Sequence, residues 1–367
     1  MSILLLILGI LLFIGLVVLH EWGHFLAARR NGVEVEEFGI GFPPRAWKRK
    51  TKSGFIFSLN WLPIGGFVKL KGENDAASED GSFGVASFKA KTKIMLAGVG
   101  MNLLAAFVIF AALAWIGMPQ LIDNQFSVKS DTKVVQRNIL IGYVEPGSPA
   151  DQAGLKPRDH LKAIGPQGNV ESIDSAATLP DLTQKFAGQE VQVVYQRGGE
   201  ERTATVTLRD GEEGREKGYL GISPAEFSMT RATWSAPIQS AGLIVQFTEA
   251  TFRGLGTALG ALFQGDAAKA SEQVAGPVGI VVVLRDGSLL GVQFVFLIIG
   301  VVSLSLAIMN VLPIPALDGG RFYVMLLSRI FGRRLSKDME ERIVGTSFVF
   351  LLLLVVLITF VDVKRFF

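Results

Sequence analysis

The sequence predicts a polytopic α-helical membrane protein of about four transmembrane helices, with a membrane-associated β-hairpin and an inserted α+β domain. Three observations predict this fold class. The chain carries four long apolar segments, two of the connections between them are rich in lysine and arginine, and the central region is polar with short alternating patterns. These changes of composition predict domains at residues 1–118, 134–224, 232–288 and 289–367.

The composition narrows the class of protein further. A mean hydropathy of +0.40 and a formal net charge of +3 over 367 residues are explained by membrane topology and do not point to nucleic acid. The chain contains no cysteine. No disulfide therefore frames the fold, and no thiolate can bind a metal.

Each apolar segment is long enough to span a bilayer. The first resembles a signal peptide in length, but its amino end lacks lysine and arginine, and cleavage would separate it from the motif that follows. The four segments are residues 3–19, 94–118, 289–317 and 343–361.

Basic residues crowd the connections 29–93 and 321–342, and the positive-inside rule makes both connections cytoplasmic. The amino terminus, the large central region and the carboxyl terminus are then expected outside. This topology places the inner ends of the first and third spans at the same depth.

The inner end of the first span carries the motif His20-Glu21-Trp22-Gly23-His24. On a helix, residues four apart project from one face about one turn from each other, so both imidazoles can bind one zinc ion, with Glu21 beside them as a base. A pair of histidines on an apolar face can also be purely structural. Ionisable groups in a membrane segment are costly, however, and this favours a functional site.

Asp318 is the candidate for the third ligand, since a hydrolytic zinc site normally has three protein ligands and one open position. It ends the uncharged third segment at the matching depth, whereas the remaining histidine, His160, lies in the polar region. Asp318 could instead cap the following helix. With zinc bound, Glu21 would take a proton from water and pass it to the leaving amine, which describes amide hydrolysis.

Two functions of other classes remain possible from these residues: a membrane-bound peptide-binding adaptor with a structural metal, and a metal transporter. A structural site usually has four protein ligands, and no fourth is evident beside Glu21. A transporter would repeat acidic or histidine residues along several spans, and the spans here are otherwise nearly uncharged.

The chain resembles the bacterial site-2 proteases, which are intramembrane zinc proteases, in HEWGH, in the run from Asn310 to Gly319, NVLPIPALDG, and in a PDZ-like domain between the two. The resemblance implies Asp318 as the third zinc ligand and Asn310 as a substrate-binding residue. It also implies a place in the bacterial inner membrane and substrates that are transmembrane proteins, for example an anti-sigma factor that another protease has already trimmed.

Two further parts of the membrane half are candidates for the site. Asn102 of the second span follows small residues that allow close helix packing, and it is a candidate for supporting the metal site. Residues 55–59 and 66–71 alternate and read as a hairpin at the inner surface. The resemblance implies that Gly66, Phe67 and Val68 pair with substrate as an added strand, although a hairpin that only rests on the membrane fits equally well.

The polar region at 134–224 resembles the PDZ domains of bacterial proteases, and its run Gly218-Tyr219-Leu220-Gly221 resembles their carboxylate-binding loop. Such a domain binds peptide carboxyl termini or excludes bulky substrates, and the sequence does not separate these roles. Residues 234–265 are mixed apolar and charged, which indicates an amphipathic helix on the outer surface.

Overall fold

The computed structural model describes residues 2–74, 77–122, 124–332 and 336–367. The chain divides into two compact units, Leu113–Gln239 and Ser2–Ala112 with Ser240–Phe367. The helices are α1 (Ser2–Arg30), α2 (Phe88–Ile116), α3 (Pro149–Gln152), α4 (Leu179–Lys185), α5 (Gly211–Lys217), α6 (Ala236–Phe263), α7 (Ala267–Glu272), α8 (Pro277–Leu290), α9 (Val292–Val311), α10 (Asp318–Ile330) and α11 (Lys337–Phe366). The strands are β1 (Val35–Lys50), β2 (Ile56–Leu70), β3 (Met118–Pro119), β4 (Lys133–Val144), β5 (His160–Gly165), β6 (Glu171–Ser172), β7 (Glu190–Arg197), β8 (Glu200–Thr207) and β9 (Ile222–Arg231).

Within the described residues, four helices are long and apolar enough to cross a membrane: α1, α2, α9 and α11. Together with the β-sheet regions they make the chain a polytopic membrane protein, as the sequence predicts. The third span is shorter than the predicted segment 289–317, because α9 ends at Val311. Pro313 and Pro315 follow within four residues, and proline cannot donate the backbone bonds that would continue the helix.

Strands β1 and β2 form the two-stranded sheet of the unit Ser2–Ala112 with Ser240–Phe367, which we call the membrane unit. Their register corrects one prediction. The runs 55–59 and 66–71 do not pair with each other. Residues 35–40 of β1 lie between them, with Phe38 paired to both Phe57 and Val68. The far side of residues 56–60 is covered by residues 45–50 of β1. Residues 66–70 are therefore one edge of this sheet among the described residues.

The interior of this two-stranded sheet holds a buried carboxylate, Glu37, which has an exposed fraction of 3 %. Ser58 Oγ donates to Glu37 Oε1 at 2.6 Å, and Arg45 donates to both carboxylate oxygens. Burial alone would raise the pKa of Glu37, but the bonds from Arg45 and Ser58 outweigh it and hold the pKa below its usual value. The ionised carboxylate thus joins residues of both strands.

Helix α8 belongs to the membrane unit, although all but its last two residues lie in the segment 232–288 that the sequence predicts to be a surface linker. Its Leu284 has an exposed fraction of 1 % and packs with Leu16, Val295 and Ile299. Burial of these apolar side chains, and not their order along the chain, decides that α8 packs against α1 and α9.

Helix α6 forms within the run 234–265 that the sequence predicts to be amphipathic. One side packs in the membrane unit, where the ring of Phe247 lies 5.7 Å from that of Phe110 and Ser240 Oγ donates to Phe107 O at 2.7 Å. Apolar residues seven apart on another side, including Val245 and Phe252, are exposed. The helix therefore has one packed side and one exposed apolar stripe.

The other unit is built on a seven-stranded sheet in the order β3-β9-β4-β5-β7-β8, with β6 paired to β5. The sheet extends past the predicted boundaries 134–224 in both directions, because Met118 pairs with Thr230 and Lys133 with Arg231. Its core is formed by alternating strand residues, which include Ile139, Ile141, Leu161, Ile164, Val191 and Val193.

Candidate active site

Helix α1 brings the three motif residues to one place near its carboxyl end. The helix continues without interruption to Arg30, so His20 and His24 stay on one face, with ring centroids 4.8 Å apart. Both rings are buried, with side-chain exposures of 11 % and 12 %. Burying polar side chains costs free energy unless they have polar partners. The groups that contact these two imidazoles therefore determine what the pair can do.

Asp318 reaches the histidines because the chain turns sharply after α9. Backbone bonds from Ile314 N to Leu312 O and from Leu317 N to Ile314 O close the turn, and α10 begins at Asp318. The turn requires glycine at two positions. A Cβ on Gly319 would lie 2.5 Å from Val311 O, and a Cβ on Gly320 would lie 1.9 Å from Ile314 O.

The three candidate ligand atoms are mutually close. Asp318 Oδ2 lies 3.0 Å from His20 Nε2 and 3.1 Å from His24 Nε2, and the two Nε2 atoms are 3.2 Å apart. These spacings are close to the edges of a tetrahedron around an ion bound at about 2.0–2.2 Å. The described residues contain this one group of histidine and acidic ligand atoms close enough to hold a metal ion.

Both imidazole rings are also fixed at their other nitrogen. His24 Nδ1 lies 2.7 Å from Ile94 O. Because a carbonyl only accepts, Nδ1 carries the hydrogen, and the lone pair of Nε2 points to the cluster. His20 Nδ1 lies 3.2 Å from Asn102 Nδ2, and Asn102 Oδ1 is buried without a partner among the described residues. Rotating this amide by half a turn would let His20 Nδ1 donate to Oδ1 and leave Nε2 free for a metal.

Helix α2 approaches the histidines closely at Gly98. A Cβ at this position would lie 2.4 Å from His24 Nε2 and 2.5 Å from His20 Cε1. At Gly23 of α1 a Cβ would lie 2.7 Å from Ala97 O. The contact between α1 and α2 therefore depends on glycine on both helices.

Glu21 borders a cavity beside the ligand cluster. The cavity comprises about 500 Å³, part of it open to solvent. The edge of the two-stranded sheet forms one wall, because Val68 and Leu70 line the cavity and a Cβ on Gly66 would lie 3.3 Å from Glu21 Cγ. The other lining residues are His24, Glu73, Phe83, Ile94, Met95, Asp318 and Arg321.

Two predicted substrate-binding residues are placed less directly. Asn310 lies at the end of α9 and does not line the cavity. Its Nδ2 donates to Leu306 O at 3.0 Å, within its own helix. The ring of Phe67 lies over Gly39, where a Cβ would be 2.3 Å from Phe67 Cε1.

The predicted carboxylate-binding loop lies in the other unit, between α5 and β9, and its carbonyls are bound to the body of that unit. Gly218 O accepts from Arg209 Nη1, and Tyr219 O accepts from Arg209 N. Leu220 O accepts from Ala150 N, and Gly221 O accepts from Glu145 N. The loop thus holds all four carbonyls in internal hydrogen bonds.

Most of the chain matches one known protein family. The model of peptidase family M50 matches residues 8–354. This chain belongs to peptidase family M50. The zinc metalloprotease RasP of Shouchella clausii is 26 % identical over 431 aligned residues, which cover 98 % of each chain. The zinc metalloprotease RasP of Geobacillus kaustophilus is 24 % identical over 440 aligned residues, which cover 98 % of this chain and 97 % of that one.

As an M50 site-2 protease, the chain is a zinc metalloendopeptidase with Zn²⁺ as its cofactor. This M50 membership excludes the adaptor and transporter alternatives. The chemistry of the clustered atoms fits zinc, since two imidazole nitrogens and one carboxylate oxygen are a ligand set that catalytic zinc sites use.

Sequence reasoning anticipated the close packing at Gly98 but missed two features of the M50 site: the carbonyl of Ile94 and the ion pair of Glu73 with Arg321. A backbone carbonyl gives no residue signal. Arg321 had one, because it lies three residues after Asp318 and therefore one turn away on the same face of α10.

Proposed function

We propose that this M50 protease cleaves peptide bonds within or near the transmembrane segment of single-span membrane proteins. His20, His24 and Asp318 are the proposed zinc ligands, and Glu21 is the proposed general base. One observation carries the proposal: the three ligand atoms converge at the end of a candidate span, next to a cavity that Glu21 shares with a sheet edge.

When bound, zinc supplies a Lewis acid that makes water more acidic and polarises the scissile carbonyl. Glu21 lies beside the cluster, takes the proton from the attacking water and delivers it to the leaving amine. The bond between His24 Nδ1 and Ile94 O fixes that ring during the reaction. The chain needs no nucleophilic side chain for this chemistry.

Residues 66–70 are the proposed docking edge for the substrate. Their inner side pairs with residues 35–40, and Val68 and Leu70 face the cavity of Glu21. A helical substrate keeps its main-chain hydrogen bonds internal. An extended peptide that pairs with the outer side of this edge would replace them with main-chain hydrogen bonds to the sheet. The substrate must therefore unwind locally. Asn310 is proposed to bind its backbone, since an amide both donates and accepts.

The charge distribution supports an active site near the cytoplasmic face of a bacterial inner membrane. The connection 29–93, which follows the histidine motif, is rich in lysine and arginine. The seven-stranded unit would then lie outside, as a PDZ-like domain. Substrates already trimmed by another protease, such as an anti-sigma factor, would release a cytoplasmic fragment on cleavage.

The PDZ-like domain is proposed to bind a peptide carboxyl terminus at Gly218–Gly221. An anion is bound by hydrogen-bond donors, so the amides of this loop are the proposed binding groups, while its four carbonyls are bonded within the domain. Size exclusion by the same domain is compatible with this role.

The experiment that tests the proposal compares the purified wild type with Glu21→Gln in detergent. Both proteins are expected to retain zinc, and only the wild type is expected to cleave a model transmembrane substrate, because glutamine keeps the shape of glutamate but cannot accept the proton. Undiminished cleavage by Glu21→Gln would contradict the mechanism.

A further inference from the structure

The cavity of Glu21 has a second polar pair on its wall that the proposed chemistry does not use. Glu73 and Arg321 both line the cavity together with Glu21, His24 and Asp318. They are 248 positions apart in sequence, yet Arg321 Nη1 donates to Glu73 Oε1 at 3.0 Å and Nη2 donates to Glu73 O at 2.7 Å. The guanidinium thus binds one side chain and one backbone atom of the same residue.

The two residues belong to opposite sides of the cleft. Glu73 lies three residues after Leu70, at the end of the sheet edge proposed to bind substrate. Arg321 lies one turn after Asp318 on the first turns of α10, which carries the proposed third zinc ligand. A bond between them therefore fixes the distance between the substrate-binding edge and a zinc ligand.

Stability alone does not explain this arginine. Its Nε is buried without a partner among the described residues, and a buried unpaired donor is destabilising. The pair is also partly exposed, with side-chain exposures of 25 % for Arg321 and 41 % for Glu73, and exposed ion pairs contribute little to folding. Two-point binding by a planar guanidinium does, however, specify geometry in a way that a lysine cannot.

The geometry points to Arg321 as a positioning residue that, through Glu73, holds the edge strand and the helix of Asp318 at the separation that catalysis requires. This inference rests on the proposed function of the cavity. Catalysis is sensitive to such spacing, because a displacement of about 1 Å can cost about 100-fold in rate. Groups that orient metal ligands typically contribute about 10–100-fold in metal affinity or activity.

The test uses the full-length protein and three variants: Arg321→Lys, Glu73→Gln and the double variant. Arg329→Lys is the matched control, since Arg329 lies on the same helix but places its guanidinium over the ring of Phe88, 4.8 Å from the centroid. For each protein we would measure kcat and KM on a model transmembrane substrate, the Kd for zinc by chelator competition, and the thermal midpoint.

We expect Arg321→Lys and Glu73→Gln to lower kcat by about 10–100-fold and to weaken zinc binding by about 10-fold, with an unchanged thermal midpoint. The double variant should be no worse than the poorer single variant, because both changes weaken the same charge-assisted contact. Arg329→Lys should behave as wild type.

Three results would overturn the inference: wild-type kcat and zinc affinity in both single variants, equal losses in Arg329→Lys, or losses that follow a lower thermal midpoint. An inactive Glu21→Gln beside a fully active Arg321→Lys would refute this inference alone. Cleavage by Glu21→Gln would refute the proposed function instead, and the zinc affinities would still test the pair.

Discussion

Replacing Gly98 by alanine tests whether the contact between α1 and α2 sets the geometry of the ligand cluster. The added Cβ would lie 2.4 Å from His24 Nε2 and 2.5 Å from His20 Cε1, whereas ordinary contacts are 3.4–4 Å. Since the obstructing atoms belong to buried rings, α1 and α2 must separate by about 1 Å, and a displacement of this size can cost about 100-fold in rate.

Gly98→Ala is therefore expected to lose about 100-fold in cleavage rate and to bind zinc more weakly. Gly100→Ala is the matched control, because a Cβ at Gly100 would meet nothing within 4 Å. Alanine there should keep full activity and stabilise the helix by about 1 kcal/mol through its higher helix propensity.

The assay measures zinc per chain by elemental analysis, the rate of cleavage of a model transmembrane substrate, and the thermal midpoint. Wild-type zinc content and rate in Gly98→Ala would refute the reasoning, because the helices would then tolerate a side chain at their closest approach. Equal losses in both variants would also refute it, since the effect would not depend on the contact.

Two further predictions concern the third ligand and the other unit. Asp318→Asn should lower zinc affinity by at least about 100-fold, because the amide lacks the negative charge of the carboxylate. Chelator competition measures the affinity. An unchanged affinity would remove Asp318 from the ligand set. In β5, burial and then the nearby Lys162 lower the pKa of His160 to about 4. The unfolded state, with a pKa near 6.5, therefore binds more protons between these pH values, and stability falls as the pH drops through this window. In His160→Gln the free energy of unfolding should fall by about 2 kcal/mol less over this window, a value reduced to allow for the partial solvent exposure of His160. The thermal midpoints of the wild type and of His160→Gln at pH 7 and 4.5 measure this difference. An equal decrease of the midpoint in both proteins would contradict the prediction.

Much of the site was predictable because it is encoded locally. The histidine spacing in HEWGH implies one helix face, and the helix is indeed continuous from Ser2 to Arg30. Asp318 followed from its charge and its depth at the end of an uncharged segment, and the structure brings its Oδ2 within 3.1 Å of both histidines. Its assignment as a zinc ligand stays a prediction until metal binding is measured.

The sheet shows where local patterns fail. Residues 55–59 and 66–71 each have strand character, which the sequence displays, but nothing in them specifies a partner. Residues 35–40 lie between the two runs. In this central position the side chains of Phe38 and Glu37 are buried. Strand register depends on which faces are buried, and burial is a property of the whole unit.

The sequence by itself indicated the spans, the histidine pair with the proposed base beside it, and the family, since these depend on hydropathy, on spacing along one helix and on two local motifs. The tertiary structure decided the hydrogen bond between His24 and the carbonyl of Ile94, the position of Gly98 against both histidine rings, and the bond of Arg321 to Glu73. Each of these joins residues that are far apart in the chain. Such contacts arise from helix packing and desolvation, which act between surfaces and leave little periodicity in the sequence.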